Sequence, residues 1–130
     1  MSNRIDFATL ETPKTPNWFL TAPKGLCRRA KPQDEAPVFP VAPGQLWDRL
    51  LDAVRREPRI SFHDQDKAAL YLDFTQVSLL FRFPDRVSVQ ILAANGGATL
   101  AIYSRSKYGR SDLGVNAKRV KRLLAALQAG

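Results

Sequence analysis

The spacing of apolar residues changes twice along the chain, and this change constrains the fold more than any other feature of the sequence. Residues 43–57 and 115–128 repeat apolar side chains every three to four positions, which predicts two amphipathic helices. Residues 59–105 lie between them and contain runs that alternate apolar with polar side chains, which predicts β-strands. Most of the chain is therefore expected to form a helix, several strands and a closing helix.

Turn signals divide the alternating region into two hairpins. The polar run Asp64-Gln65-Asp66-Lys67 separates predicted strands at 59–64 and 70–74. Asn95-Gly96-Gly97 precedes a predicted strand at 98–105, in which Leu100 and Ile102 face one way while Tyr103 and Arg105 face the other. Asn and Gly accept the positive φ that tight hairpin turns require, so the second hairpin is strongly indicated.

The segment before the first helix is rich in proline. Seven of the nine prolines fall within residues 13–43, which show neither helical nor strand periodicity. Residues 1–36 are therefore interpreted as an extended arm, which packs on the domain because it carries apolar side chains such as Trp18 and Phe19. Residues 37–41 are predicted to form the first strand, and residues 37–130 a single α+β domain.

The predicted fold class is α+β with two layers, formed by one curved antiparallel sheet and two helices on one of its faces. The element order is β-α-β-β-β-β-α, and each element buries its apolar side against the other layer. This order is similar to the TATA-binding-protein-like and helix-grip folds, which is an analogy of topology and carries no function.

The composition is that of a basic globular protein. Twenty Lys and Arg residues against twelve Asp and Glu residues give a net charge of +8, which favours acidic partners such as nucleic acid, phosphorylated metabolites or an anionic membrane surface. The same charge is also compatible with a protein that is merely soluble and basic.

Few residues of the sequence are suited to metal binding, cofactor binding or nucleophilic catalysis. A single cysteine, Cys27, excludes an internal disulfide, and a single histidine, His63, matches no paired metal-ligand spacing or hydrolytic triad. No metal and no cofactor are therefore expected. The first thirty residues contain no signal-peptide run and no window approaches the ~18 apolar residues of a membrane span, so we expect a cytoplasmic location without a transmembrane segment.

One basic segment, residues 104–124, is the candidate site. It holds seven Lys or Arg residues and one acid, Asp112, and so carries +6 of the net charge. Its first part, residues 104–116, joins a strand end to a helix start, where backbone N–H groups attract anions and arginine adds a bidentate clamp. The candidate ligand-binding residues are Ser104, Arg105, Ser106, Arg110, Ser111, Asp112, Asn116 and Arg119.

A structural interpretation of the same segment stands beside the functional one. Ser111 or Asp112 would cap the closing helix, and Arg105 or Arg110 would pair with Asp112 and lock the loop. The following basic residues would then form the solvated face of a helix: Lys118, Arg119, Lys121 and Arg122.

The same residues resemble the C-terminal signature of an uncharacterised bacterial and plastid family, domain of unknown function 1499. The shared string is S-R-x-x-x-G-x-S-D-L-G-V-N-x-x-R-V, preceded here by LAIY. Upstream, TPNWFLTAPKGLC resembles the family's Pro-Asn element followed by a cysteine, and LLFRFPDRVSV resembles its central Phe-Arg-Phe, Asp, Val segment. The resemblance covers roughly residues 16–127 and implies a compact domain, found alone or behind membrane or lipoprotein anchors in other members. It implies no activity.

Three functions compete at this stage. The leading hypothesis is a non-enzymatic binding domain for a small anionic or amphipathic ligand at the loop 104–116. An alternative is an enzyme of unknown reaction that uses Ser104, Arg105, Arg110 and Asp112, although the sequence shows no activating partner for the serine. Nucleic-acid binding through the basic closing helix ranks third, because only three tyrosines are available for base stacking. The oligomeric state is left open.

Overall fold

The computed structural model describes residues 4–79, 82–107 and 112–129. Within these ranges the helices are α1 (Pro43–Arg55) and α2 (Val115–Ala129). The strands are β1 (Trp18–Ala22), β2 (Asp34–Glu35), β3 (Ile60–Asp66), β4 (Tyr71–Val77), β5 (Pro84–Ala94) and β6 (Gly97–Ser106). The predicted α+β class, both helices and both hairpins are confirmed.

The strands of the described residues form one curved sheet in the order β2-β1-β6-β5-β4-β3. All neighbours are antiparallel except β1 and β2, which run parallel. The long hairpin β5–β6 occupies the centre, and Gly96 and Gly97 at its turn both have positive φ. The register of this hairpin decides which side chains of β6 point toward the helices.

One face of the sheet, called the helix face below, carries both helices. Alternate residues of β4, β5 and β6, such as Phe74, Val89 and Ile102, are buried there against the apolar stripes of α1 and α2. Pro43 suits the first turn of α1, where a missing N–H has no helical partner, and Pro58 follows its end. The hydrophobic core therefore lies between the sheet and the helices.

The opposite face, called the back face below, is covered in part by the N-terminal segment. Phe7 packs there against Leu20 and Tyr103 in a second, smaller cluster. Arg4 fixes this segment to β3, because its guanidinium binds Asp64 and Asp66 at 2.7 Å each. The N-terminal segment thus covers part of the back face with apolar side chains.

The first strand was predicted in the wrong place. Residues 37–41 make only one bridge, between Phe39 and Ala98, because Pro37 and Pro40 have no N–H to donate to a ladder. The strand that pairs with β6 is β1, which lies in the segment interpreted as an extended arm. Its five residues contain no proline and so can form a continuous ladder.

The first hairpin also turns later than predicted. Asp64 and Asp66 lie in β3, where a bulge shifts the register after Phe62, and the turn follows at residues 67–70. The two carboxylates remain in the strand because both are paired with Arg4 on the back face. The polar run Asp64-Gln65-Asp66-Lys67 therefore contains two acids that form ion pairs with Arg4, and only its last residue lies in the turn.

Candidate functional site

Asp112 caps the start of α2. Its Oδ1 accepts a hydrogen bond from the N–H of Gly114 at 2.8 Å, and its Oδ2 accepts one from the N–H of Asn116 at 3.2 Å. A carboxylate at this place satisfies N–H groups that have no helical partner and is favoured by the helix dipole. The predicted capping role of Asp112 is confirmed.

Asn116 connects this cap to the sheet. Its Nδ2 donates to Asp112 Oδ2 at 2.6 Å, to Ser106 Oγ at 2.9 Å and to the carbonyl oxygen of Asn17 at 3.2 Å. Its Oδ1 accepts a hydrogen bond from Ser104 Oγ at 2.6 Å. One fully buried amide thus ties α2 to both β6 and the residue before β1.

Arg119 is buried, which corrects its placement on a solvated helix face. Its Nη2 donates to Asp85 Oδ2 at 2.7 Å, its Nε to Gln76 Oε1 at 2.6 Å and its Nη1 to Asn116 Oδ1 at 2.8 Å. Burial lowers the pKa of the guanidinium below its ordinary value, and the hydrogen bond that Arg119 donates to Asp85 opposes that shift. With side chains 3% and 2% exposed, Arg119 and Asp85 form an enclosed ion pair.

Arg105 does not join these residues. Adjacent residues of a strand face opposite sides, so Ser104 points to the helix face and Arg105 to the back face. There Arg105 Nη1 donates to Ser88 Oγ at 2.9 Å, and its Cζ lies 4.6 Å from the ring centroid of Tyr103. The expected pairing of Arg105 with Asp112 is therefore wrong. Burial lowers the pKa of Arg105, which the charge of Asp73 opposes.

Two further candidate residues, Arg110 and Ser111, lie outside the described residues. Of the others, the structure brings together Ser104, Ser106, Asp112, Asn116 and Arg119. This set is called the buried network below, together with Asp85, Gln76 and Asn17.

Sequence reasoning missed these last three residues, although a signal for two of them existed. Asp85 and Gln76 occupy inward positions of strands whose neighbouring inward residues are apolar, for example Val87 and Phe74. A polar side chain at such a position must find a buried partner. Asn17 contributes a backbone carbonyl, which no side-chain pattern could have indicated.

A first cavity, the helix-side cavity, opens between the start of α2, the end of β4 and the segment that joins α1 to β3. Its volume is about 490 Å³. Its wall combines apolar with cationic side chains: Val77, Leu79, Leu113, Arg59, Lys118 and Arg122. Glu57 also lines it; burial raises the pKa of this carboxyl, but hydrogen bonds from Arg122 and Gln76 outweigh burial and lower it below the ordinary value.

A second cavity, the back-face cavity, lies on the other side of the same end of the sheet. Its volume is about 380 Å³. It is lined by His63, Thr75, Pro84, Arg86, Arg105 and Lys107. The two cavities share no lining residue among those described.

The described residues offer neither a metal-binding cluster nor a membrane-spanning helix. No group of three or more His, Cys, Asp and Glu side chains in these ranges could hold a metal ion. Neither helix in the same ranges is long and apolar enough to cross a membrane.

Comparison with solved structures identifies the architecture. The crystal structure of Ara h 8.0201 superposes with a TM-score of 0.55 and 14% sequence identity, over 73% of this chain and 92% of that chain. At this identity the likeness shows the fold alone, which is the helix-grip, or Bet v1-like, fold. A comparison with curated proteins gives no match.

The segments that carry the family resemblance converge in space. Asn17, Asp85 and three residues of the C-terminal signature, Ser104, Asn116 and Arg119, come from three distant parts of the sequence and meet in the buried network. The model of the family "Protein of unknown function (DUF1499)" matches residues 10–127. Because this match spans most of the chain, the protein belongs to the DUF1499 family.

Proposed function

We propose that this domain is a non-enzymatic binding protein for a small amphipathic anion, and that the ligand occupies the helix-side cavity. The observation that carries the proposal is the cavity itself, whose volume of about 490 Å³ suits a small molecule and whose wall is partly apolar and partly cationic. Such a wall matches a ligand with a hydrocarbon part and an acidic group.

Two exposed leucines supply most of the apolar character. Leu79 and Leu113 are 69% and 68% exposed, and they line the cavity from the end of β4 and from the residue before Gly114. Contact of such large apolar side chains with water is unfavourable, and covering them would lower the free energy. A hydrocarbon chain lying between them would remove both from water.

The cations supply the charge selectivity. Arg59, Lys118 and Arg122 line the cavity, whereas the acid in its wall, Glu57, is bound to Arg122 at 2.7 Å. The remaining positive charge favours an anion, and both Lys118 and Arg59 lie at exposed positions from which a ligand can be reached. A carboxylate or phosphate head group meets this requirement equally well.

The buried network supports the cavity, and two of its members, Gln76 and Arg119, also reach the cavity wall. Ser104, Asp112 and Asn116 direct their hydrogen bonds to one another and to Arg119, which leaves them engaged. Their effect is to hold the start of α2, where Leu113 before the helix and Val115 and Lys118 in its first turn line the wall. The proposal therefore shifts the ligand from the loop 104–116 to the cavity beside it.

No specific observation favours the two other functions. Ser104, the proposed nucleophile, is fully buried and hydrogen-bonded to Asn116 and Arg119, so a substrate would not reach it. The closing helix presents fewer cations to a nucleic acid than its sequence indicated, because Arg119 is enclosed and Arg122 is paired with Glu57.

Decanoate is a suitable probe, because it combines an alkyl chain with a carboxylate. We expect it to raise the melting temperature of the protein, since a ligand that binds only the folded state stabilises it. Decanol and decyltrimethylammonium should have a smaller effect. Leu79→Ser and Lys118→Gln should each weaken decanoate binding several-fold in calorimetric titration.

Val38→Ser provides the matched control. Val38 is another exposed large apolar residue, and it does not line the helix-side cavity. This variant should bind decanoate like the wild type. Equal binding by the Leu79→Ser and Val38→Ser variants, or no effect of decanoate on the wild type, would contradict the proposal.

A further inference from the structure

Two arginines face each other directly across the centre of the back face. Arg86 of β5 and Arg105 of β6 are register partners in the antiparallel ladder. Side chains in such a pair lie close together, and like charges directly opposite each other destabilise a sheet. An arrangement of this kind calls for a compensating negative charge.

Asp73 is the one described carboxylate whose charge acts on both arginines, and it forms an ion pair with Arg86 alone. Arg86 Nε binds Asp73 Oδ1, and Asp73 is buried while Arg86 remains 40% exposed. Arg105 is held by neutral groups, namely Ser88 Oγ, the carbonyl oxygen of Tyr103 and the ring of Tyr103. Among the residues that the structure describes, no carboxylate forms an ion pair with Arg105.

More donors converge on the same place. Lys107, two residues beyond Arg105 on the same strand, lines the back-face cavity, and Thr75 is the register partner of Arg86 on its other side. His63 hydrogen-bonds to Thr75 Oγ1 at 2.7 Å and completes the wall. Three cations and a hydroxyl thus line one cavity, and no acid is among its described lining residues.

We propose that the back-face cavity is a binding site for a phosphate-type oxyanion, either inorganic phosphate or the phosphoryl group of a larger molecule. A guanidinium presents parallel N–H donors that match two oxygens of such an anion, and two guanidinium groups side by side can share a dianion. Lys107 adds a third charge at the cavity wall. The negative ligand then relieves the repulsion between Arg86 and Arg105.

This site is independent of the proposed function. It lies on the opposite face of the sheet from the helix-side cavity and uses different side chains. It also selects for different chemistry, because its wall contains polar and charged groups with Pro84 as the one apolar residue named in its lining. Loss of phosphate binding and loss of decanoate binding are therefore separable results.

The test measures binding of inorganic phosphate by calorimetry at constant ionic strength, in the wild type and in two variants. Arg105→Gln removes the guanidinium that has no ion pair among the described residues, and Lys107→Gln changes an exposed side chain. We expect Arg105→Gln to weaken binding at least about tenfold and Lys107→Gln to weaken it several-fold. Arg28→Gln and Lys24→Gln remove the same charges from exposed positions elsewhere and should bind like the wild type.

The outcomes separate the possibilities. If phosphate does not bind the wild type, the proposed site does not exist. If Arg28→Gln weakens binding as much as Arg105→Gln, the net charge of the protein explains the binding and the proposal is also wrong. If Arg105→Gln fails to fold, phosphate binding by Lys107→Gln is compared with binding by Lys24→Gln. Equal binding by these two variants would contradict the proposal.

Phenyl phosphate and vesicles that contain phosphatidic acid distinguish the source of the phosphoryl group. Competition by phenyl phosphate supports a soluble phosphomonoester. Binding to the vesicles that is lost in Arg105→Gln, and is absent with phosphatidylcholine alone, supports a lipid head group. If neither probe competes with inorganic phosphate, the extension to a larger molecule is wrong and only the free anion is recognised.

Discussion

Arg105 and Arg119 come from the same short stretch of sequence but meet opposite surroundings on the two faces of the sheet. On the helix face, Arg119 is enclosed and donates to a carboxylate, an amide and a hydroxyl. On the back face, Arg105 donates to neutral groups and faces Arg86. An arginine that is enclosed and paired with a carboxylate belongs to the scaffold, as Arg119 does. One that faces another cation fits the anion site that we propose for the back face.

The largest effect is expected from removing the enclosed cation. Arg119→Met leaves Asp85 buried without its partner, which should lower the free energy of unfolding by about 3–5 kcal/mol. Arg122→Met, one turn away and partly exposed, should cost less than about 1 kcal/mol. Urea denaturation of both variants measures the difference. Equal losses would show that Arg119 is not the centre of the network.

A smaller loss is expected at the start of α2. Asp112→Ala removes acceptors for two backbone N–H groups and for the Asn116 amide, so it should lower the free energy of unfolding by about 1–3 kcal/mol.

Lys121→Ala is the control for this change. Its ammonium lies 5.7 Å from the ring centroid of Phe19 at an exposed position, which limits the loss to about 0.5 kcal/mol. Chemical denaturation compares the two variants. An Asp112→Ala protein as stable as the Lys121→Ala protein would remove the carboxylate from the scaffold.

The smallest effect on stability is expected on the back face. Without ligand, Arg105→Gln should change the free energy of unfolding by less than about 0.5 kcal/mol, and at low salt the variant should be the more stable protein because the repulsion from Arg86 is gone. This advantage should vanish at high salt. Arg28→Gln, measured in parallel, reports the general effect of one charge. A large loss of stability in Arg105→Gln would place this arginine in the scaffold beside Arg119.

The sequence predicted those elements of the fold whose defining residues lie close together in the chain. The helical spacing of Leu46, Leu50 and Val54 and the alternation of β5 and β6 each lie within one element, and hydrophobic period identifies such elements directly. The first strand was not readable in this way, because β1 is defined by its pairing with β6, more than half the chain away.

The candidate site was predictable in part for the same reason. Ser104, Asp112 and Asn116 lie close together in sequence and in space, whereas Asp85 reaches Arg119 only through the register of β5. The position of Arg105 was implied by the alternation of β6, since Leu100 and Ile102 face the helices and Arg105 therefore faces away. Grouping Arg105 with Asp112 by sequence distance overlooked that alternation.

The pairing of β1 with β6 also determines when this domain can be completed during synthesis. β1 leaves the ribosome before β3, β4, β5 and β6, and its antiparallel partner β6 is the last of the described strands to be made. The Asn116 amide, which ties α2 to β6 and to the residue before β1, comes later still. Until β6 is made, the ladder partner available to β1 among the described strands is the two-residue strand β2. Contacts between such distant segments require closure of a long loop, which slows folding, so the nascent chain must keep β1 without its main partner while the rest of the sheet emerges.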